Sequence, residues 1–549
     1  MDGFIVPGGE VWKIDGEVQS NGNVIVEGTL VMRAGDTLRF VEIDESGFVG
    51  GGMKPLDSDT GLWVIGDGAL DIEGSAVQAW NRTGVDPTWT EGHEIVLMPW
   101  KNGDSGWDWE KDVSTIQPYT LGQPVPELIP GFPTEVVNLT RDVRIEGTPE
   151  GRTHIWILSR KPQRIRHAAI RYVGPQQSGD RGRLAGVSGR YGLHFHRMGD
   201  AARGSIVEGV VIRDCGNHAF VPHASHGITF RRCVAFDTFT EQFWWDIVDP
   251  NNTSRARRTD FTQSDDVVYE ECLGVLARWN GPGYHGSNFL LNRTEGGAIV
   301  GCVAVGCQAW KEGSGFHWPS KANFPPNVWR WKDNLSHNHL KGGFRVWQNT
   351  KNIHEVSGLR AFNCGEFGIA NGAYGTPGYR WSDFEIVGLG GSSFGSGLPY
   401  TVGIVLHAVA PAGRNRYQSR SDGYGHSFER GRIRGADVGI LTTEHVAEAS
   451  VPTLIKDVVF EDLADVVLLV DEGKRRNPGL LDFVNCTRDG EPLRPEDVRL
   501  ASTMPGFRAR FQNGAGAWQI DDAARVTDIA LFYGGDTVHP EAAGRRVYR

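Results

Sequence analysis

Two histidines one residue apart, with an arginine before them and an aspartate after, mark Gly189-Arg190-Tyr191-Gly192-Leu193-His194-Phe195-His196-Arg197-Met198-Gly199-Asp200 as the stretch best equipped for chemistry. In an extended strand alternate side chains share a face, so His194 and His196 project together, about 7 Å apart by strand rise. Imidazoles so placed suit one divalent metal, Zn or Ca, or one substrate group. Either ring also suits general-base work, with Asp200 or Asp246 completing an acid–base pair. Arg190 suits a two-pronged contact with a carboxylate or phosphate. His218, His223 and His226 follow one repeat later, then Glu241, Asp246 and Asp249. His223 joins His194 and His196 as a candidate metal ligand. Tyr191, His218, Trp244 and Trp245 join Arg190 as candidate substrate contacts. The later pairs His337 with His339 and His317 beside Trp318, and the acidic pairs Asp265-Asp266 and Glu270-Glu271, carry a weaker signal.

What positions these residues is a repeat. Its copies read Glu208-Gly-Val-Val-Ile-Arg-Asp, Arg231-Arg-Cys-Val-Ala-Phe-Asp, Glu270-Glu-Cys-Leu-Gly-Val-Leu and Val300-Gly-Cys-Val-Ala-Val-Gly. Lys332-Asp-Asn-Leu-Ser-His-Asn, Ser357-Gly-Leu-Arg-Ala-Phe-Asn, Ser382-Asp-Phe-Glu-Ile-Val-Gly, Arg430-Gly-Arg-Ile-Arg-Gly-Ala and Lys456-Asp-Val-Val-Phe-Glu-Asp continue it. Starts lie roughly 23 to 39 residues apart, with one gap near 48 read as hiding a further coil. Short strands at this period, with no helical pattern between them, predict a parallel β-helix whose coils stack because none buries its apolar face alone. Irregular spacings are insertions, the usual place for binding loops. Residues 1–100 read as a smaller glycine-rich β-solenoid or roll, 101–140 as a Trp/Pro-rich connector, 141–475 as the β-helix, and 476–549 as a C-terminal β cap.

Composition agrees with an all-β chain. Glycine supplies 73 of 549 residues, nearly twice the usual share of roughly 7%, and glycine weakens helix interiors. Abundant Trp and Phe argue against disorder. The net charge of −11 disfavours a nucleic-acid phosphate track. No apolar run reaches the length of a membrane-spanning helix. The start, Met1-Asp2-Gly3-Phe4-Ile5-Val6-Pro7, lacks the basic and apolar regions of a signal peptide. Seven cysteines, an odd count without a C-x-x-C pair, read as buried fillers rather than disulfides or a zinc ribbon.

The histidine phrase, with Ile165-Arg-His-Ala-Ala-Ile-Arg-Tyr-Val-Gly before it and the Ser287-Asn-Phe and Ile299-Val-Gly-Cys-Val-Ala-Val-Gly phrases after, resembles the cell-migration-inducing hyaluronan-binding (CEMIP) and transmembrane-hyaluronidase family. Gly-Ala-Leu-Asp-Ile-Glu-Gly-Ser at 68–75 is similar to that family's glycine-rich module. The resemblance implies a right-handed parallel β-helix that binds a long acidic glycan and in some members depolymerises it. It touches Arg190, His194, His196 and Asp200. On this reading the aromatic residues stack on sugar faces and Arg190 meets a uronate. Hydrolase, lyase and purely binding roles stay open. With no export signal read at the start, a virion tail component is the favoured compartment, and secreted and cytoplasmic locations stay open. Such attachment proteins commonly form trimers and sit among other virion tail proteins; this rests on fold-level analogy.

Overall fold

The computed structural model describes residues 2–98, 117–179, 184–244, 264–278, 286–291, 294, 296–308, 314–318, 329–346, 354–371, 379–388, 401–407, 422–443, 452–470, 480–500, 508–514, 519–521 and 525–526. They fall into two compact units, Met1–Gln308 and Ala309–Arg549. Among the described residues no α-helix forms.

In the first unit each circuit of chain gives one strand to each of three parallel sheets. The first sheet runs from Phe4–Val6 through Leu62–Gly66, Ile155–Ser159, Leu193–Gly199 and Phe220–Ser225 to Phe289–Leu290. The second includes Ala69–Glu73, Arg164–Arg166, Ile206–Glu208 and Thr229–Arg231, and the third Val143–Glu146, Ala168–Val173, Val211–Cys215 and Val234–Thr238. Neighbouring coils pair in parallel and in register, as in Val211↔Val234 and Ile212↔Ala235. This is a parallel β-helix.

The repeated phrase is a corner. From Arg164–Arg166 onward the residue after each second-sheet strand of the first unit takes the left-handed conformation: His167, Gly209, Arg232, Glu271 and Gly301 all have φ between 50° and 63°. Each corner N–H donates to the carbonyl just before the corner of the next coil, as in His167 N to Glu208 O (2.8 Å), Gly209 N to Arg231 O (2.9 Å) and Arg232 N to Glu270 O (2.9 Å). A left-handed L-residue costs roughly 1–2 kcal/mol, and a satisfied buried amide offsets a cost of that order. Inside, like side chains stack from coil to coil. Phe220, Phe243 and Phe289 stack with ring centroids 4.9 and 4.4 Å apart and ring planes nearly parallel. Each such pair adds about 0.5–1.5 kcal/mol beyond its burial. All seven cysteines are free and buried, and Cys233, Cys272 and Cys302 sit at the same corner position as fillers.

Two expectations change. The N-terminal solenoid is not a separate roll: Leu62–Gly66 pairs directly with Ile155–Ser159, and Ala69–Glu73 with Arg164–Arg166. Its circuits are the first coils of the same β-helix, because their strands pair in parallel and in register with those that follow, although the residues after their second-sheet strands (Ile14, Ala34 and Gly74) are not left-handed. The described residues between these strands hold a four-stranded antiparallel sheet made of Trp80–Asn81, Ile95–Leu97, Gln117–Pro118 and Val136–Asn138. It packs around Trp89 and Tyr119, and the Trp80 indole N–H donates to Glu271 O at 2.9 Å.

The second unit repeats the three-sheet plan, with corners at Asp333, Gly358, Asp383, Arg430, Asp457 and Asn485. The gap near 48 hides no extra coil, since Tyr379–Ser382 pairs directly with Ser427–Glu429. It is one circuit with a long excursion. Leu480–Val484 and Val498–Leu500 still pair in parallel in the helix sheets, and Gln519–Asp521 turns back antiparallel on Arg508–Gln512; residues 529–533 lie outside the described residues.

The corner can be tested at Gly209, where φ is +60° and an added Cβ would lie 2.5 Å from His167 Nδ1. Gly209→Val is expected to destabilise the protein by about 2 kcal/mol or more. Arg232→Gly, at the matching corner, is expected to change stability by under about 1 kcal/mol. The urea midpoints of both variants check this.

Candidate functional site

Phe195 meets Phe230 of the second sheet in the interior (centroids 6.1 Å). Alternation along the strand therefore turns His194 and His196 outward. His194 pairs across the sheet with Trp156, which pairs with Trp63. His196 lies directly opposite His223 on the next coil. Immediately after each of these two histidines the strand breaks its regular path. Arg197 and Ala224 take φ of 54° and 45°, and the register shifts between His196 and Gly199. Neither side chain gains by that conformation, so the neighbouring strands hold them there.

Three imidazoles meet as a result. Ring centroids of His194 and His196 are 4.8 Å apart, His196 and His223 4.9 Å, and His194 and His223 5.8 Å. One ligand nitrogen from each lies within 4.8 Å of the others. His194 Nδ1 donates to Gly189 O at 3.1 Å, which leaves its Nε2 unprotonated and 3.2 Å from His196 Nδ1. His196 Nε2 touches Met53 Sδ at 3.0 Å. Burial pushes the His196 pKa down to about 3, helped by the neighbouring His223, Arg197 and Arg190. Burial first, then His196 and His223, pushes His194 well below its ordinary value.

A loop from the first coils covers this face. Asp59 anchors it, accepting from Val49 N (2.8 Å), Gly50 N (2.9 Å), Ser58 Oγ (2.6 Å) and Arg190 Nε (2.7 Å). Burial works to raise the Asp59 carboxyl; the hydrogen bonds from Ser58, Val49 and Gly50 and the Arg190 charge outweigh it and hold it below the ordinary range. Arg190 is wholly buried, donates also to Gly51 O at 2.8 Å, and lies 4.6 Å over the Trp63 ring. Its donors are committed inside the protein, so it is a structural cation and not the uronate ligand expected.

Beside this cluster lies a second one. His218 Nδ1 is 3.0 Å from Glu241 Oε2 and 2.8 Å from Thr240 Oγ1, while Glu241 Oε1 accepts from Gly286 N at 3.1 Å. Burial works to raise the Glu241 carboxyl, and the His218 imidazole with the backbone donors outweighs it, so it stays below the ordinary range. Trp244 stacks on His218 at 3.7 Å. Tyr191 joins both clusters, with its ring 4.7 Å from His194 and 5.0 Å from His218.

His194, His196 and His223 converge. His218 and Tyr191 lie beside them, buried rather than open. Trp244 is a strand residue that packs with Tyr191, Val221 and Leu290, so it offers no open face for a sugar and is not the substrate contact expected. Asp200 stands apart on an exposed turn, paired with Arg203 at 2.8 Å. Its carboxylate therefore does not complete an acid–base pair with the histidines. Asp246 and Trp245 lie outside the described residues. The carboxylate found on the wall is Glu241. Met53 and Asp59 were missed, although the Gly50-Gly51-Gly52 run signals a close backbone approach: at Gly50 an added Cβ would sit 2.8 Å from Val187 Cγ1.

No protein-family model matches the sequence, and comparison with curated proteins finds no match. Among solved structures the chain is similar to the A-module of a mannuronan C-5 epimerase from Azotobacter vinelandii, with 13% identity, a TM-score of 0.33, and coverage of 86% of this chain and 91% of that one. It is also similar to a tailspike of Pseudomonas phage LKA1 (9% identity, TM-score 0.30, 92% and 75% covered). A third is the tailspike of Acinetobacter baumannii bacteriophage AP22, solved with a capsular saccharide (8%, 0.27, 92% and 74%).

The covering loop has a pH signature. His154 Nε2 donates to Asp59 O at 3.1 Å, and burial, with the Arg190 charge second, lowers its pKa to about 3. The unfolded histidine titrates near 6.5, so between those values the unfolded chain binds the extra proton. Stability is then expected to fall as pH drops from about 6.5 toward 3, by up to about 1.4 kcal/mol per unit. His154→Gln should flatten that slope in urea midpoints measured against pH.

Proposed function

We propose that this protein binds an extended, acidic polysaccharide and depolymerises it at the imidazole wall of its first unit. One observation carries the reading. The second and third sheets face outward with ladders of ion pairs that satisfy themselves: Arg33–Asp71 (2.5 Å), Arg166–Glu208 (2.7 Å) and Arg231–Glu270 (2.7 Å) on one, Arg39–Glu146 (2.8 Å) and Arg171–Glu146 (2.5 Å) on the other. The first sheet abandons that pattern between Trp63 and Trp244. There it carries buried indoles, a buried tyrosine, imidazoles and a buried His–Glu pair instead, with the half-buried His223 at the edge. A polymer lying along the stack meets a new coil about every 4.8 Å.

The chemistry belongs to groups that move protons. The Glu241 carboxylate holds His218 in one orientation, as a general base or acid requires, and His223 is the half-buried imidazole at the edge of the wall. The resemblance to the CEMIP and transmembrane-hyaluronidase family puts hyaluronan first among the substrates to try. The burial of His194, Arg190 and Trp244 favours a second reading, in which the wall is structural and the protein only binds a glycan, as a virion attachment component does, commonly as a trimer.

Incubation with hyaluronan, chondroitin and bacterial surface glycans separates the two, read by reducing ends and by absorbance of unsaturated uronate. Glu241→Gln is expected to slow product formation by about 10²–10⁴-fold with the urea midpoint followed alongside. Binding without product from the wild type would establish the second reading. Neither binding nor product would overturn both.

A further inference from the structure

The contacts around His196 do not balance in protons. His194 Nδ1 is spent on Gly189 O, so His194 Nε2 presents a lone pair to His196 Nδ1 at 3.2 Å. His196 Nε2 faces Met53 Sδ at 3.0 Å, and that sulfur, which also takes a contact from Arg197 Nη1 at 3.6 Å, has no proton to give. A neutral imidazole carries one N–H. Whichever nitrogen holds it, the other points a lone pair at a lone pair.

A cation relieves this conflict. Two nitrogens bound at about 2.0–2.1 Å and separated by 3.2 Å subtend roughly 100° at the ion, close to the tetrahedral angle. With the ion there, the His196 proton sits on Nε2 and is donated to Met53. The Gly189 carbonyl fixes the His194 tautomer in the way metal-bound histidines are commonly held by a backbone acceptor. His223 stands opposite His196 in register and supplies a third nitrogen within 4.8 Å. Two nitrogens on one tetrahedral ion lie about 3.3–3.4 Å apart, so the half-buried His223 ring turns inward by up to about 1.4 Å to complete the set. The left-handed residues Arg197 and Ala224, each directly after a ligand, are where the strands bend to bring these rings together.

We propose that His194, His196 and His223 hold one zinc ion, with Met53 positioning His196 to bind through Nδ1. The donor set is nitrogen with a sulfur outside it. That excludes calcium, which takes six to eight oxygens, and the Asp200 carboxylate is engaged with Arg203. Three protein ligands leave a fourth position for water or a carboxylate oxygen, the arrangement of catalytic rather than structural zinc. The inference stands on the geometry of the three imidazoles and does not require the glycan reading.

The test uses the full chain, stripped with chelator and titrated with zinc without any saccharide, then with cobalt as a spectroscopic stand-in. One zinc per chain is expected, with the intense visible bands of four-coordinate cobalt. His223→Ala, at a half-buried position, should weaken zinc binding at least about 100-fold and abolish those bands. Met53→Leu should weaken it by up to about tenfold, and His226→Ala should match the wild type. Circular dichroism checks each fold. Absence of zinc binding by the wild type, a preference for calcium, or wild-type affinity in His223→Ala would overturn the proposal. Because no glycan is present, failure of the glycan reading leaves this result untouched.

Discussion

Coil-to-coil register is the constraint on which everything else rests. A parallel β-helix places each residue beside its counterpart one circuit later, so a shift of one residue would exchange the inner and outer faces of a whole strand. The left-handed corners pin that register. Each corner amide bonds across to the next coil at a fixed point, through residues as unsuited to the conformation as Arg232 and Glu271. Because the corners hold, Phe195 stays inside and His194 and His196 stay outside, with His223 opposite. The imidazole wall is a consequence of backbone pairing before it is a consequence of side-chain chemistry.

On that frame the buried Asp59–Arg190 pair decides what covers the wall. A buried ion pair is a weak source of net stability, while removing one partner commonly costs 3–5 kcal/mol. Its value here is placement. Asp59 gathers the amides of Val49 and Gly50, Arg190 takes the Gly51 carbonyl, and Met53 is delivered to His196. Burial, with the Arg190 charge second, keeps His154 below its ordinary pKa beside Trp63, while its bond to the Asp59 carbonyl works the other way. One interaction thus joins the first coils to the histidine strand and closes the face above it.

The fold was largely legible in the sequence because its signal is periodic. A corner residue followed by an apolar strand recurs whether the corner is Gly209, Arg232 or Asp383, and the eye follows the strand. Registers were less secure: the phrase aligned at Arg430 is one residue out, since Arg430 itself is the corner and Glu429 precedes it. The excursion before it looked like another coil because length alone does not reveal pairing. Within the site, His194, His196 and His223 were legible from period-2 alternation and from repetition. Arg190 and Trp244 were misread because residue type says nothing about what covers a face. Nor did any local pattern connect Met53 or Asp59 to strands more than a hundred residues away.

The central claim is that register brings three imidazoles together for a shared ligand. Crystals grown with zinc, with anomalous scattering recorded at the zinc edge, test it most directly. The account predicts one strong peak about 2.0–2.1 Å from a nitrogen of each of His194, His196 and His223. No peak at that position, with His194 Nε2 still resting against His196 Nδ1, would contradict it.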